Sequence, residues 1–306
     1  MIIRRGTEED RQKIAPARSE QWGGGLSVSQ CTEKHRRLYG HPFGKNRIET
    51  YVGVEGNTVL TALDIVRVSM QSFHDGTFND KPTFLVVSFI VPKEYRGRGY
   101  GTQLFEWVVE REPGMGILYS DISPDFYTKY GYELFPMYAC ELPAGAGPSE
   151  TWRGLSVGGF VEVLNAQREA SIRGHEGGCT LRMDFDWLDW ILERYRFAAG
   201  VAGTTLDGLA LLRQLGHEDH VVGMAPNYQL GRLDVLWYVH GCGPCEAQLR
   251  RFATEYGLNR ICLWCDTPRG QTPHVERPMI RRERGAVGMV AAQAPSWRGI
   301  QFCDWW

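Results

Sequence analysis

No apolar run in this 306-residue chain approaches the roughly 18 residues that a membrane span needs. The chain also lacks an excess of positive charge: 34 basic residues stand against 36 acidic ones, a formal charge of −2. Up to residue 140 there are 17 of each sign, leaving 17 basic and 19 acidic residues for the remainder. Neither part has the surplus that binding to a phosphate backbone usually requires, and the cluster Lys34, His35, Arg36, Arg37 is too short to supply one, so no nucleic-acid partner is expected. Cysteine is scarce, with 8 in the chain, which rules out a dense disulfide scaffold and reads as reduced thiols. Glycine is scattered rather than periodic, and there is no internal repeat or low-complexity tract. The opening MIIRRGTEEDRQK is too polar for a signal peptide, so a soluble, cytoplasmic protein is the expectation. Its composition, 43% hydrophobic and 23% charged, is that of a globular protein, and the length suits two domains.

The first 140 residues alternate between element types. IIRRG reads as a strand, and TEEDRQKIAPAR as a helix with acidic residues at its start. SQCTEKHRRLYG reads as a second helix ending at Gly40. ETYVGVEGNTVLTALDIVRVSMQ holds two β-rich runs joined at Glu55-Gly56-Asn57. TFLVVSFIV is apolar on both faces and belongs in the middle of a sheet. The helix TQLFEWVVERE, the strand GILYSDI, the helix PDFYTKYG and the strand YELFPMYACEL follow. This mixed order predicts an α/β or α+β unit with one central sheet. PAGAGPSE, 143–150, is Pro/Gly-rich and reads as a linker between units at 1–142 and 151–306.

The later part contains the helical pattern DFDWLDWILERYRFAAG, with Asp186, Asp189 and Glu193 on one face and Leu188, Ile191, Leu192 and Tyr195 near the other. The strands LDVLWYVHG and RICLWCDTP flank the helix CEAQLRRFATEYG. Eight of the ten tryptophans lie after residue 150, enough aromatic mass for a core there.

The most informative stretch is VVSFIVPKEYRGRGYGTQLFEWV, in which a buried strand runs into Arg96-Gly97-Arg98-Gly99-Tyr100-Gly101 and a helix opens at Thr102. Glycines let backbone N–H groups approach a ligand, and a helix N-terminus adds unpaired donors and a positive dipole end, which suits a pyrophosphate. No Gly-Lys-Ser/Thr follows, so this is not a Walker loop, and the spacing is not the dinucleotide G-x-G-x-x-G.

The loop does match Arg/Gln-x-x-Gly-x-Gly/Ala, and over roughly its first 140 residues the chain resembles the GCN5-related N-acetyltransferases (GNAT). The downstream SDISPDFYTKYGYELF is similar to that family's later segment. The resemblance implies a GNAT fold with a mixed central sheet, and acetyl-CoA as cosubstrate. Phe89, Ile90 and Val91 would present backbone groups to the pantetheine arm, while Arg96, Gly97, Arg98, Gly99, Tyr100 and Gly101 would wrap the pyrophosphate with Thr102 close behind. Tyr127 would protonate the departing CoA thiolate. A plain strand-to-helix turn and a core tyrosine are the alternative readings of the loop and of Tyr127. With its tryptophan-rich second half and the ending FCDWW, the chain also resembles the fungal lysine N-acetyltransferase-like two-domain subgroup. That likeness implies a second, degenerate GNAT-like α/β domain that helps form the acceptor site.

An ammonium group must lose a proton before it can attack a thioester. Asp121, at the end of GILYSDI, and the terminal carboxylate on Trp306 are the candidates to take it; helix capping and a loosely packed end are their alternatives. Trp22 falls where the family's acceptor side begins, and the Asp186/Asp189/Glu193 stripe offers carboxylates unless it is simply a solvated face. Two cysteine pairs compete with this picture. Cys242/Cys245 and Cys262/Cys265 have zinc-like spacing, but residues three apart on a strand point to opposite faces, so no metal is expected. Cys242-Gly-Pro-Cys245 before a helix also fits a thiol–disulfide protein, against a plain Gly-Pro turn. The expectation is an acyltransferase that acetylates a small-molecule amine, an amino acid such as lysine or a related amine, with a protein lysine as the second possibility.

Overall fold

The computed structural model describes residues 1–119, 124–134, 137–147, 153–154, 156–173, 179–206, 212–214, 221–238, 245–265, 274–276 and 278–281. Its first elements are β1 (Ile2–Arg5), α1 (Glu8–Trp22), α2 (Val28–Gly40), α3 (Pro42–Arg47), β2 (Ile48–Glu55), β3 (Thr58–His74), β4 (Thr77–Ile90), α4 (Tyr100–Arg111), β5 (Met115–Tyr119), α5 (Asp125–Thr128) and β6 (Tyr132–Leu134). There follow β7 (Met137–Pro143), β8 (Arg153–Gly154), α6 (Val157–Arg173), β9 (Cys179–Arg182), α7 (Phe185–Val201), β10 (Leu212–Gln214), β11 (Val221–Asn227), β12 (Arg232–Tyr238), α8 (Cys245–Glu255), β13 (Arg260–Cys265), β14 (His274–Glu276) and β15 (Pro278–Arg281). Among the described residues no helix is long and apolar enough to cross a membrane.

Local chemistry starts the helices where the sequence suggests. Thr7 caps α1 and forms a capping box with Asp10: Thr7 Oγ1 accepts from the Asp10 N–H at 3.2 Å, and the Asp10 carboxylate accepts from the Thr7 N–H at 2.8 Å. Arg4 grips the same carboxylate at 2.6 and 3.0 Å. The Arg4 bonds, chiefly, hold the Asp10 carboxyl down from 3.8 to about 2. A lowered folded-state value means stability that is present above about pH 4 and lost as pH falls towards 2. Asp10→Asn is therefore expected to cost about 2 kcal/mol at neutral pH. In urea titrations the gap from wild type should close as pH approaches 2. Ser27 and Gln30 repeat the capping box at α2.

Two sheets form. The first has the order β1-β2-β3-β4-β5-β15-β6, with β9 paired to β3, and is mixed, since β4 and β5 run parallel and their other neighbours antiparallel. The second has the order β14-β7-β13-β12-β11-β10-β8. The expected strand YELFPMYACEL is thus two strands, β6 and β7, which join different sheets; a proline between them has no N–H to offer a continuous ladder. The sheets also exchange elements across the 143–150 segment: β7 precedes it but pairs with β13, and β9 and β15 follow it but pair with β3 and β5. The sequence reading begins the central strand at Thr83, but β4 starts at Thr77 and closes a second hairpin on β3. Its turn is Asp75-Gly76, both with positive φ (49° and 74°).

The central sheet buries both faces, as its unbroken apolar run implies. On one side Leu63, Ile65, Phe84 and Val86 pack against Leu104, Phe105 and Val108 of α4. On the other, Val66, Val68, Leu85 and Val87 share a core with Leu38, Phe43, Trp187, Leu188 and Ile191. α7 is more deeply buried than a two-faced helix, with Phe43 stacked on Trp187 and Trp190 Nε1 donating to the Leu38 carbonyl at 3.0 Å. α7 therefore lies directly on α2 and α3, which is what brings the second half of the chain to the site.

Candidate functional site

The decisive feature is an interruption in β4. Ala62 pairs with Ile90 and Asp64 with Val87, so Ser88 and Phe89 together face the single residue Leu63. This is a β-bulge, and Ser88 bears it with φ of 52°, a left-handed conformation rare for a non-glycine residue. The parallel pairing of β4 with β5 covers Thr83 to Val86 against Met115 to Leu118, and among the described residues it goes no further. The backbone of 87–91 is thus kinked at the bulge and leads into the glycine loop.

That loop has the geometry an anion needs. Gly97 and Gly99 have φ of 76° and 78°, and Gly99 occupies the N-cap position of α4 with no side-chain cap. The first-turn N–H groups, from Tyr100 through Thr102, have no intrahelical carbonyl to reach and project from the helix mouth. Gly101 is packed closely; a Cβ there would stand 3.0 Å from Val91 Cγ2 and 3.2 Å from Phe89 Cζ. Arg96 folds back and donates from Nε to the Val91 carbonyl at 2.9 Å, fixing the loop on the end of the strand. Arg98 is exposed. These residues therefore fit the pyrophosphate and pantetheine of a coenzyme A thioester.

Tyr127 lies beneath α4, 5% exposed, with its ring centroid 5.2 Å from Phe105 and 4.9 Å from Phe126. Phe105 and Phe126 in turn reach Phe89, at 5.6 and 6.0 Å, so the cluster links Tyr127 to the bulged strand. Asp121 and Trp306 lie outside the described residues.

On the opposite face of the bulge is a cavity of about 50 Å³. Trp22, Cys31, Leu38, Ile48, Val87 and Trp190 form its apolar wall, and Arg18, Lys34, His35, Tyr39, Asp64, Ser88 and Arg194 its polar one. Asp64, 2% exposed, has one carboxylate oxygen engaged: Oδ2 accepts from the Tyr39 hydroxyl at 2.6 Å and pairs with Arg18 at 3.1 Å. Its other oxygen, Oδ1, is buried with no hydrogen-bond partner. Arg18 also reaches Tyr39 at 2.8 Å and the Ser88 carbonyl at 3.4 Å, tying the charge cluster to the bulge. Burial works against the Arg18 charge, but Asp64 and Tyr39 outweigh it and hold the guanidinium above its ordinary value. Burial, with the Asp64 charge and hydrogen bond, pushes the Tyr39 phenol up. His35 is driven down to about 3, first by burial and then by Arg18, Lys34 and Arg194, so it is neutral at physiological pH.

The sequence reading places Trp22 on the acceptor side, and the structure sets it in the cavity wall. Gln229, in the β11–β12 turn, donates to the Gly23 and Gly24 carbonyls at 2.7 Å each and so holds the loop after Trp22. The same reading missed Asp64, Arg18 and Tyr39. Charged residues inside the apolar runs of β3 and α1 were the available signal, since a buried charge requires a partner. The Asp186/Asp189/Glu193 stripe stays outside the cavity. Asp189 pairs with His41 and Arg196, Glu193 with Arg37 and Arg196, and Asp186 is exposed. Cys262 is buried in β13, Cys245 opens α8, and Cys242 lies outside the described residues.

No protein-family model matches the chain. The crystal structure of a GCN5-related N-acetyltransferase from Kribbella flavida superposes with a TM-score of 0.58 at 20% identity, over 92% of this chain and 71% of that one. This chain has the GNAT fold. A GCN5-related N-acetyltransferase from Anabaena variabilis gives a TM-score of 0.55 at 14% identity, over 92% of this chain and 72% of that one. A curated sequence, a lysine acetyltransferase of Yarrowia lipolytica, is 27% identical over 96 residues, which is 30% of this chain and 24% of the relative. The bulged end of β4 thus adjoins the glycine loop of α4 through Val91 and Arg96, and the Asp64 cavity through Ser88.

Proposed function

We propose that the chain is an acetyl-CoA-dependent N-acetyltransferase that acetylates the primary amine of a small molecule, amino acids included. The observation that supports this reading most is the bulge at Ser88. It joins a loop shaped for a pyrophosphate on one side to a small cavity on the other, lined by a carboxylate with one oxygen unpartnered. In this reading Arg96 to Thr102 hold the pyrophosphate, and the backbone of Phe89 to Val91 receives the pantetheine arm. Asp64 Oδ1 binds the acceptor's ammonium group and takes its proton. The amine nitrogen then attacks the thioester carbonyl carbon and a C–N bond forms; the C–S bond breaks as the thiolate takes a proton from Tyr127, and the second proton lost by the nitrogen passes through solvent to restore the Tyr127 phenol. Units at 1–142 and 151–306 divide the work: the first binds the thioester, and the second closes the acceptor side through Trp190 and Arg194. The small cavity favours a free amine over a lysine on a folded protein surface.

The test is release of free CoA thiol from acetyl-CoA, screened over amino acids, diamines and aminoglycosides, with Tyr127→Phe in parallel. Wild type should turn over one amine class. Tyr127→Phe should lower kcat about 10- to 100-fold at unchanged CoA affinity, because the CoA thiol is more acidic than a phenol and its thiolate therefore leaves with less help than most leaving groups. Asp121→Asn serves as the comparison for the proton acceptor. Tight CoA binding with no turnover on any amine would replace this reading with a CoA-sensing module.

A further inference from the structure

Arg18 and Arg194 line the cavity behind Ser88 together with Asp64, and Arg18 already occupies one oxygen of that carboxylate. Two guanidinium positions are buried without a hydrogen-bond partner, Arg194 Nη1 and Arg18 Nε, and Arg18 as a whole is only 2% exposed. A buried charged donor left unsatisfied is costly, so both positions favour an incoming anion. The depressed His35, pressed by Arg18, Lys34 and Arg194 after burial, reports the sign of the local field.

We propose that Arg194 Nη1 and Arg18 Nε form an anion subsite, so that the accepted amine carries a carboxylate or a phosphate. The inference deepens the acetyltransferase reading and rests on it for the product, though not for binding. Asp64 Oδ1, unpartnered in the same cavity, takes the ammonium end, and the two ends together orient a small zwitterion. About 50 Å³ has room for roughly four waters, which suits the polar end of a small molecule and not a large oligosaccharide. Because Arg194 lies on α7, acceptor selectivity is set by the second half of the chain, while the thioester is held by the first.

The test is titration calorimetry on the full chain, with and without CoA, using 5-aminopentanoate, phosphoethanolamine and pentane-1,5-diamine. Wild type should bind at least one anionic amine about tenfold or more tighter than the diamine, and the tighter of the two identifies the anion as carboxylate or phosphate. Arg194→Gln should weaken that amine roughly 10- to 100-fold, the range for a lost charge-assisted hydrogen bond, and leave the diamine unchanged. Arg194→Lys should restore most of the affinity. Equal binding of the diamine, an equal loss for all three probes, or no binding of either anionic amine would overturn the subsite. Selective binding with no acetyl transfer would instead sink the acetyltransferase reading and leave the subsite standing.

Discussion

Asp64→Asn is expected to lower turnover by about three orders of magnitude, within the range for a lost acid–base group. It should also destabilise the fold by about 3–5 kcal/mol, because it leaves the Arg18 guanidinium buried without a counter-charge. The stability loss alone would not identify a functional carboxylate, since any broken buried pair behaves this way. The discriminating variant is the double substitution Asp64→Asn with Arg18→Met, assayed on pentane-1,5-diamine beside Arg18→Met alone, because Arg18 also lines the acceptor cavity. Removing both charges eliminates the uncompensated ion, so urea denaturation should recover most of the lost stability, while turnover should stay as low as in Asp64→Asn and well below that of Arg18→Met. Recovery of both together would reduce Asp64 to a structural partner of Arg18. Affinity for CoA, measured by calorimetry, should hold in both variants, because the glycine loop lies across the bulge from the cavity.

The second large effect is expected at the loop. Gly97 and Gly99 occupy positive φ, where an L side chain costs about 1–2 kcal/mol and a β-branched one more. With both replaced by valine, the exposed loop relaxes out of the left-handed conformation and draws the first N–H groups of α4 off the pyrophosphate. Affinity for acetyl-CoA should fall by about 100-fold, while 5-aminopentanoate and phosphoethanolamine should bind in the absence of CoA as they do to wild type. Unchanged CoA affinity would show that the loop is only a turn between strand and helix.

The contrast between these two sites marks what was legible in the linear chain. The glycine loop is contiguous: six residues between a buried strand and a helix carry both the backbone freedom and the dipole. The same holds for the helix start at Thr7, the Glu55-Gly56-Asn57 hairpin and the two-sided apolar run of β4. The Asp75-Gly76 hairpin was equally local, but it sits in a polar stretch with Pro82, where alternation is too weak to extend the strand. The helix Val157–Arg173 was missed because two early glycines, Gly158 and Gly159, obscure its start.

Residues and spacing alone indicated the α/β class and carried the likeness to the GNAT family through the glycine loop and the later FYTKYGYE segment, since each depends on neighbours within a turn or a strand. Only the tertiary structure assembled the cavity behind Ser88. Arg18, Tyr39, Asp64 and Arg194 come from α1, α2, β3 and α7, and no local pattern links them. The placement of β15 between β5 and β6, and the bulge that turns Ser88 towards the cavity, were likewise settled by long-range pairing. A strand pattern specifies which face is apolar, but the neighbour it finds and the residue at which the ladder slips depend on the whole sheet.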